Sequence, residues 1–448
     1  MYKKKNLVSS SKKRLNKTGV ATAVAISCSA ALGLFGNAAH AQEAYKLFND
    51  RLEIGLGAAQ HFQAIEADDG AFVLDDENAD AGFGRLRFNL ELKFNITDHI
   101  FAFVDIAEEP NDFRGLDPFS LNQDFGFIDL NLTGLAGSTS NSEVHLKVGN
   151  IGVGTFDGLH SFSDGSVVQG NPLIGNSPAS FGTAQSGIQI TGATKPGGAV
   201  KSLAGDFAVT IPSFGGENSP DRGFNILTGV GIDFSGGLSF STRFFIGEGG
   251  DQLDDEISPG VFSLAGVQQD GLFFGDGDNY ILPSIDGAGE RSSRIFHNGV
   301  VPGLDAFIWQ LNAQYQSPSK NSLLRVWGGV AESDFSFVDA AGNQTVNENP
   351  DTVGVTEQES SITFLGIGGQ QYLIPNKLYV AARYTMVDND SDDFDGDTLE
   401  RIQIGGGVFL SKRTLFKIEF VDQDEPDGSP GQVGGGFSGF VSELSVRF

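Results

Sequence analysis

Any chemistry this chain performs has to come from hydroxyl, histidine, carboxylate, lysine and arginine side chains, because cysteine is nearly absent. Its single cysteine, Cys28, precedes the folded part of the sequence, which therefore offers no disulfide, thiolate metal site or cysteine nucleophile. Six histidines are present, and His61, His99, His145, His160 and His297 lie beyond the first 41 residues. None sits in a triad or metal-binding spacing. No Gly-x-Ser-x-Gly elbow occurs at a strand-to-helix turn, and no glycine-rich phosphate loop is present, so the expectation is a protein that is not an enzyme. Carboxylates cluster most densely in Asp388-Asn389-Asp390-Ser391-Asp392-Asp393-Phe394-Asp395-Gly396-Asp397. The opening Asp-x-Asp-x-Asp matches the start of an EF-hand loop. Asp393 stands where that loop needs glycine, and Glu400 misses the twelfth position by one. Asp390, Asp392, Asp395 and Asp397 are thus candidates for weak, adventitious divalent binding, with a solvated acidic surface as the other reading. Gly275-Asp276-Gly277-Asp278 reads the same way. No dedicated metal or cofactor is expected.

The elements that carry these residues are announced by a leader. Residues 1–41 hold seven basic residues and no acid, an apolar run from Gly19 to Gly36, and the small-x-small sequence Ala39-His40-Ala41. These are the three parts of a cleaved secretory signal peptide. A membrane anchor is the alternative, but the run is rich in Ala and Ser. The whole chain has a net charge of −28 over 448 residues; beyond the leader, 22 basic and 57 acidic side chains leave −35. Such a surface repels nucleic acid. Sixty-one glycines and 38 phenylalanines point to an all-β protein rather than a disordered acidic chain.

Beyond Gln42 no apolar stretch is long enough for a membrane helix, and period-two alternation dominates. Over residues 85–96, Arg85, Arg87, Asn89, Glu91, Lys93 and Asn95 alternate with Leu86, Phe88, Leu90, Leu92, Phe94 and Ile96. That length suits a tilted strand crossing a bilayer, whereas strands of soluble sandwiches are shorter. Sixteen strands are expected, at about 51–65, 82–96, 100–107, 124–135, 143–153, 186–193, 205–213, 223–234, 238–247, 305–316, 323–332, 360–373, 378–388, 399–410, 415–424 and 436–448. Their connections alternate short (Thr97 to His99, Ser235 to Gly237, Ser317 to Asn321, Ile374 to Lys377, Ser411 to Thr414) and long (66–81, 154–185, 248–304, 333–359). Short turns on one side and long loops on the other describe a transmembrane antiparallel β-barrel. Charge sorts likewise: loop 66–81 carries seven acids and loop 389–398 five, neither with a Lys or Arg.

The last strand alternates Phe440, Leu444, Val446 and Phe448 with Glu443, Ser445 and Arg447. An amphipathic strand ending in an aromatic residue resembles the assembly signal of bacterial outer-membrane barrels. Over residues 42–448 the chain resembles the sixteen-stranded bacterial porins. Leu146-Lys147-Val148-Gly149-Asn150-Ile151 and Ile374-Pro375-Asn376-Lys377-Leu378-Tyr379-Val380-Ala381-Ala382-Arg383-Tyr384 also resemble stretches of the porin family, the first of them of its phosphate-selective members. The resemblance implies a location in the outer membrane of a Gram-negative bacterium, a homotrimer, contact with lipid and lipopolysaccharide, and a loop that folds into the pore after the fifth strand. Here that loop is 154–185, low in charge and rich in glycine; an external surface loop is the other reading.

In such a barrel the polar face lines a lumen, and wall candidates are Arg85, Arg87, Lys93, Lys147, Arg243, Arg325, Arg383 and Arg401. The family places wall arginines opposite loop acids, a role open to Asp157 and Asp164. The acidic loops favour cations and the wall arginines anions. The expected function is passive diffusion of ions and small hydrophilic solutes, weakly selective and leaning to cations. The rivals are a barrel selective for anions or phosphate, a structural or adhesive barrel without conductance, a membrane hydrolase, and a plugged transporter, for which too few residues precede the first strand.

Overall fold

The computed structural model describes residues 45–67, 80–83, 86–108, 122–155, 172–175, 177, 181–211, 224–248, 281–283, 289–291, 305–335, 358–389, 397–424 and 437–447. The expected leader and its cleavage site, Phe448, loop 66–81 beyond Ala67 and before Asp80, and Asp390 to Gly396 lie outside the described residues.

Sixteen long strands run in chain order: β1 (Leu52–Ala67), β2 (Arg87–Thr97), β3 (Ile100–Glu108), β4 (Asn122–Asn131), β5 (Ser142–Thr155), β6 (Phe181–Thr194), β7 (Val200–Ile211), β8 (Phe224–Phe234), β9 (Leu238–Glu248), β10 (Asp305–Gln316), β11 (Ser322–Phe335), β12 (Gln358–Ile374), β13 (Leu378–Asn389), β14 (Asp397–Ser411), β15 (Thr414–Asp424) and β16 (Phe437–Arg447). Each pairs antiparallel with its successor, and β16 returns to β1 from Gly57↔Arg447 to Ala67↔Phe437. The sheet therefore closes and leaves no edge, the only sheet form in which lipid-embedded strands satisfy every backbone group. Short strands at Tyr45–Leu47 and Asp80–Phe83 add to β1, and Ile281–Pro283 pairs with Gly289–Arg291.

Two expected strands differ in detail. The strand expected at 82–96 is described as Asp80–Phe83 and β2, both paired to β1. The strand expected at 124–135 ends at Asn131. Its side chain accepts from Gly134 N at 2.8 Å and so caps one helical turn, α1 (Leu132–Leu135). An N-cap hydrogen bond satisfies an orphan donor that a strand would have sent to a neighbour. The remaining connections at this end are tight; Asn376 closes Pro375-Asn376-Lys377 at φ 57°.

Burial is inverted relative to a soluble protein. Phe440, Ile404 and Ile418 face outward at 57, 55 and 52% exposure, while Arg401 and Gln403, alternating with them, face inward at 0%. Aromatic pairs ring the outer face at two heights: Phe234 with Phe240 near the short turns, and Phe244 with Trp309 and Phe420 with Phe440 nearer the long loops. An apolar band flanked by aromatic girdles is the lipid-facing surface of a membrane barrel. Ile404→Lys at mid-height of β14 is expected to cost about 2–4 kcal/mol of stability in lipid. Denaturant titration of the refolded protein in vesicles checks this; an unchanged midpoint would mean that this face does not meet lipid.

Candidate pore and its infolded strap

Part of the long β5–β6 connection lies inside the barrel. Pro172-Leu173-Ile174-Gly175 and Ser177, here called the strap, are buried against the inner faces of β13, β14 and β15. Leu173 packs with Tyr379, Ala381 and Leu415, close to the short-turn end. Lys417 Nζ donates to Leu173 O at 3.2 Å and pairs with Glu443 at 2.8 Å. The amides of Ile174 and Gly175 both donate to Glu419 Oε2, the latter at 3.3 Å. Glu419 Oε1 accepts from Gln403 Nε2 at 2.9 Å, Gln403 Oε1 accepts from Arg383 Nε at 2.7 Å, and Arg383 Nη2 donates to Gly175 O at 2.5 Å. The bonds form a closed ring that begins and ends on the backbone of Gly175. Ser177 Oγ lies 3.4 Å from Thr385 Oγ1. The strap thus climbs from the level of Tyr379 to that of Thr385, held through its backbone by wall side chains.

The rest of the inner wall carries cations matched by acids. Lys93 lies 3.7 Å from Glu53 and 4.9 Å from the Phe101 ring centroid. Lys147 lies 4.9 Å from the Phe127 centroid, beside Asp129, which meets His145 at 2.6 Å. Arg243 Nη2 donates to Asp206 Oδ2 at 3.2 Å across β8. Gly229 stands in register with both, and a Cβ there would come within 2.9 Å of each side chain, so only glycine lets this pair close. Around it the wall is recessed, lined by Ala204, Gly205, Gly231, Ser239, Ser241, Asn312 and Arg325.

Lys93, Lys147, Arg243, Arg325, Arg383 and Arg401 lie on the inner face, but not all of them are open to it. Arg325, Arg383 and Arg401 are almost fully buried, and Arg383 is engaged by the strap; Lys93 and Arg243 keep side-chain exposures of 36 and 20%. Arg87 contributes backbone to β2, opposite Ala59. Arg85, Asp157, Asp164, Asp390, Asp392 and Asp395 lie outside the described residues, and Asp397 opens β14 opposite Asn389. Among the described residues no group of His, Cys, Asp and Glu comes together to hold a metal ion. The wall acids Asp129, Asp206, Glu419 and Glu443 are the residues that sequence reasoning passed over. Lys417 and Glu419 alternate with Phe416, Ile418 and Phe420, which is the signal that marks them.

No family model matches the sequence, and no curated protein matches it. Solved structures do. The chain is similar to OmpF of Salmonella typhi, solved in complex with daunomycin, at 12% identity over 90% of this chain and 100% of that one, with a TM-score of 0.52. It is similar to the outer membrane channel DcaP of Acinetobacter baumannii at 12% identity over 90 and 99%, with a TM-score of 0.50. A third likeness, to OmpT, an outer membrane protein of Vibrio cholerae, has 10% identity over 90 and 100% and a TM-score of 0.50. The fold is porin-like. At these identities the likeness concerns the fold alone: a closed barrel of the kind that sits in the bacterial outer membrane.

In this porin-like barrel Glu419 is the carboxylate on which the strap's amides converge. Glu419→Ala should raise amide exchange of a peptide covering 172–177 by about 10- to 100-fold, the equivalent of about 1.5–3 kcal/mol for hydrogen bonds to a charged group. Unchanged exchange would mean that the strap is held by Leu173 alone.

Proposed function

We infer that this chain is an outer-membrane porin, a passive diffusion channel for ions and small water-soluble solutes. The observation that carries the reading is the asymmetric lumen. The strap is fixed to β13–β15, leaving the wall from β2 to β9, with Lys93, Lys147, Asp206 and Arg243, to face whatever passes. Permeation through such a barrel needs no reacting group; charge and width at the narrowest section decide what crosses. The strap sets that narrow section from one side. A homotrimer in contact with lipopolysaccharide fits the same reading.

Selectivity follows from the balance of charge. The Lys93–Glu53 and Arg243–Asp206 pairs nearly cancel along the wall, which argues against a strong phosphate or anion binder. The uncancelled charge lies in the acidic loops, which accumulate cations at the mouth. The lean towards cations should therefore be visible at low salt and fade near 1 M, where the Debye length is about 3 Å against about 10 Å at 0.1 M. Reversal potentials across KCl gradients in planar bilayers check both points. Replacing Asp390, Asp392, Asp393 and Asp395 together by Asn should weaken the low-salt cation preference and leave the high-salt value unchanged. Folded protein that conducts nothing would give the molecule to the adhesive reading.

A further inference from the structure

The inner wall is not polar along its whole height. Three or four residues below the long-loop ends of β5, β8, β9 and β10, inward positions are held by Ile151, Leu227, Phe245 and Ile308, and the inward Phe364 of β12 and Trp327 of β11 follow at six and eight residues below theirs. Each is at most 1% exposed, while outward neighbours such as Val230, Leu311 and Leu365 are 44–47% exposed, so these six belong to the lumen and not to the lipid face. They pack as one cluster. The cluster also spans non-adjacent strands: β5 approaches β9 and β10 to within 8 Å between Cα atoms, and Ile151 of β5 belongs to the same buried cluster as Phe245 and Ile308. Trp327 lies flat over Gly366 of the next strand, where a Cβ would collide with its indole ring, so the band is built into the wall rather than hung from it. The next inward positions below Phe245 and Ile308 are Arg243 and Gln310. On β8 to β10 a solute thus meets apolar side chains and then polar and charged ones, while Trp327 continues the apolar surface down to the register of Asn312.

We propose that this apolar band is a selective barrier in the conduction path, in series with the strap, and that it favours solutes joining a charged end to an apolar body over equally small solutes that are hydrophilic throughout. The inference rests on the channel reading above and names its substrate class. Water and ions passing an apolar constriction lose hydration without replacement, whereas an aromatic or aliphatic body exchanges water for Phe245, Ile308 and Leu227. The charged end then meets Arg243 and Asp206.

The test is entry of phenylalanine and of glutamine, both zwitterions of similar size, into vesicles carrying the full chain. Phenylalanine should enter about fourfold faster, the effect expected of burying a methylene-sized apolar increment. Phe245→Asn with Ile308→Asn should bring the two rates together and raise KCl conductance, whereas Phe245→Leu with Ile308→Val should keep the preference. If the asparagine pair does not fold, Ile151→Thr on β5 carries the same expected direction. Equal rates in the wild type, or a preference that survives the polar substitutions, overturns the barrier while leaving the channel standing. Entry of neither solute, with no KCl conductance in any variant, overturns the channel reading and the barrier with it.

Discussion

A strand in hydrocarbon has no water to satisfy its N–H and C=O groups, and each group left unpaired costs several kcal/mol. The structure follows from this constraint. β16 has to meet β1, and it does so along an unbroken register from Gly57↔Arg447 to Ala67↔Phe437. Once the sheet is closed, strand alternation has only one use. One set of side chains meets lipid and the other meets the enclosed space, so Ile402 and Ile404 are exposed while Arg401 and Gln403, alternating with them, are buried. The hydrophobic effect that would pull those isoleucines into the core of a soluble protein holds them outside here, because lipid takes water's place around them.

The same alternation made the barrel legible. Strand number, order and the sorting of connections by length are local properties of the sequence, and they survive errors of a few residues at each end. What could not be read is non-local. The strap's ring joins Gly175 to Arg383 across 208 positions and to Glu419 across 244. No periodicity reports which strand a glycine-rich loop will rest on. Arg383 was recognisable as facing inward, but whether an inward arginine meets solute or a loop carbonyl depends on register and on what lies over it. The pairing of Arg243 with Asp206 was equally hidden, since it depends on a glycine on the strand between them. The helical turn at Leu132–Leu135 shows the opposite failure: its cap, Asn131, is local, but the apolar run around it reads as strand.

The buried charges around the strap say what kind of device it is. Desolvating Arg383 and Glu419 is costly, and an apolar seat of the same volume would hold a loop at least as firmly. The ring spends its charge on geometry. Both polar groups of Gly175 and the amide of Ile174 have fixed partners, so the segment has one height and one register against the wall. Leu173 supplies the apolar contact, near the short-turn end. A loop held only by leucine contacts could slide along β13 and β15; one whose backbone is bonded at three consecutive residues cannot do so without leaving a buried carboxylate or guanidinium unmatched.

Placing the strap low and the apolar cluster high divides the enclosed space into a sequence of environments. On the proposed channel reading, the acidic loops act first and at long range, since they carry many acids and no Lys or Arg. The apolar band acts next and only by contact, because dispersion and dehydration fall off within a few ångströms. The matched pairs below it, Asp206 with Arg243 and Glu53 with Lys93, present both signs side by side and exert little field beyond their own separation. On the proposed channel reading, a wall of matched pairs cannot exclude either sign strongly, and discrimination by charge would belong to the mouth and discrimination by shape and apolarity to the interior. On the same reading Lys93, Arg243 and Lys417, each paired with a carboxylate on a neighbouring strand, leave the long-range field to the loops.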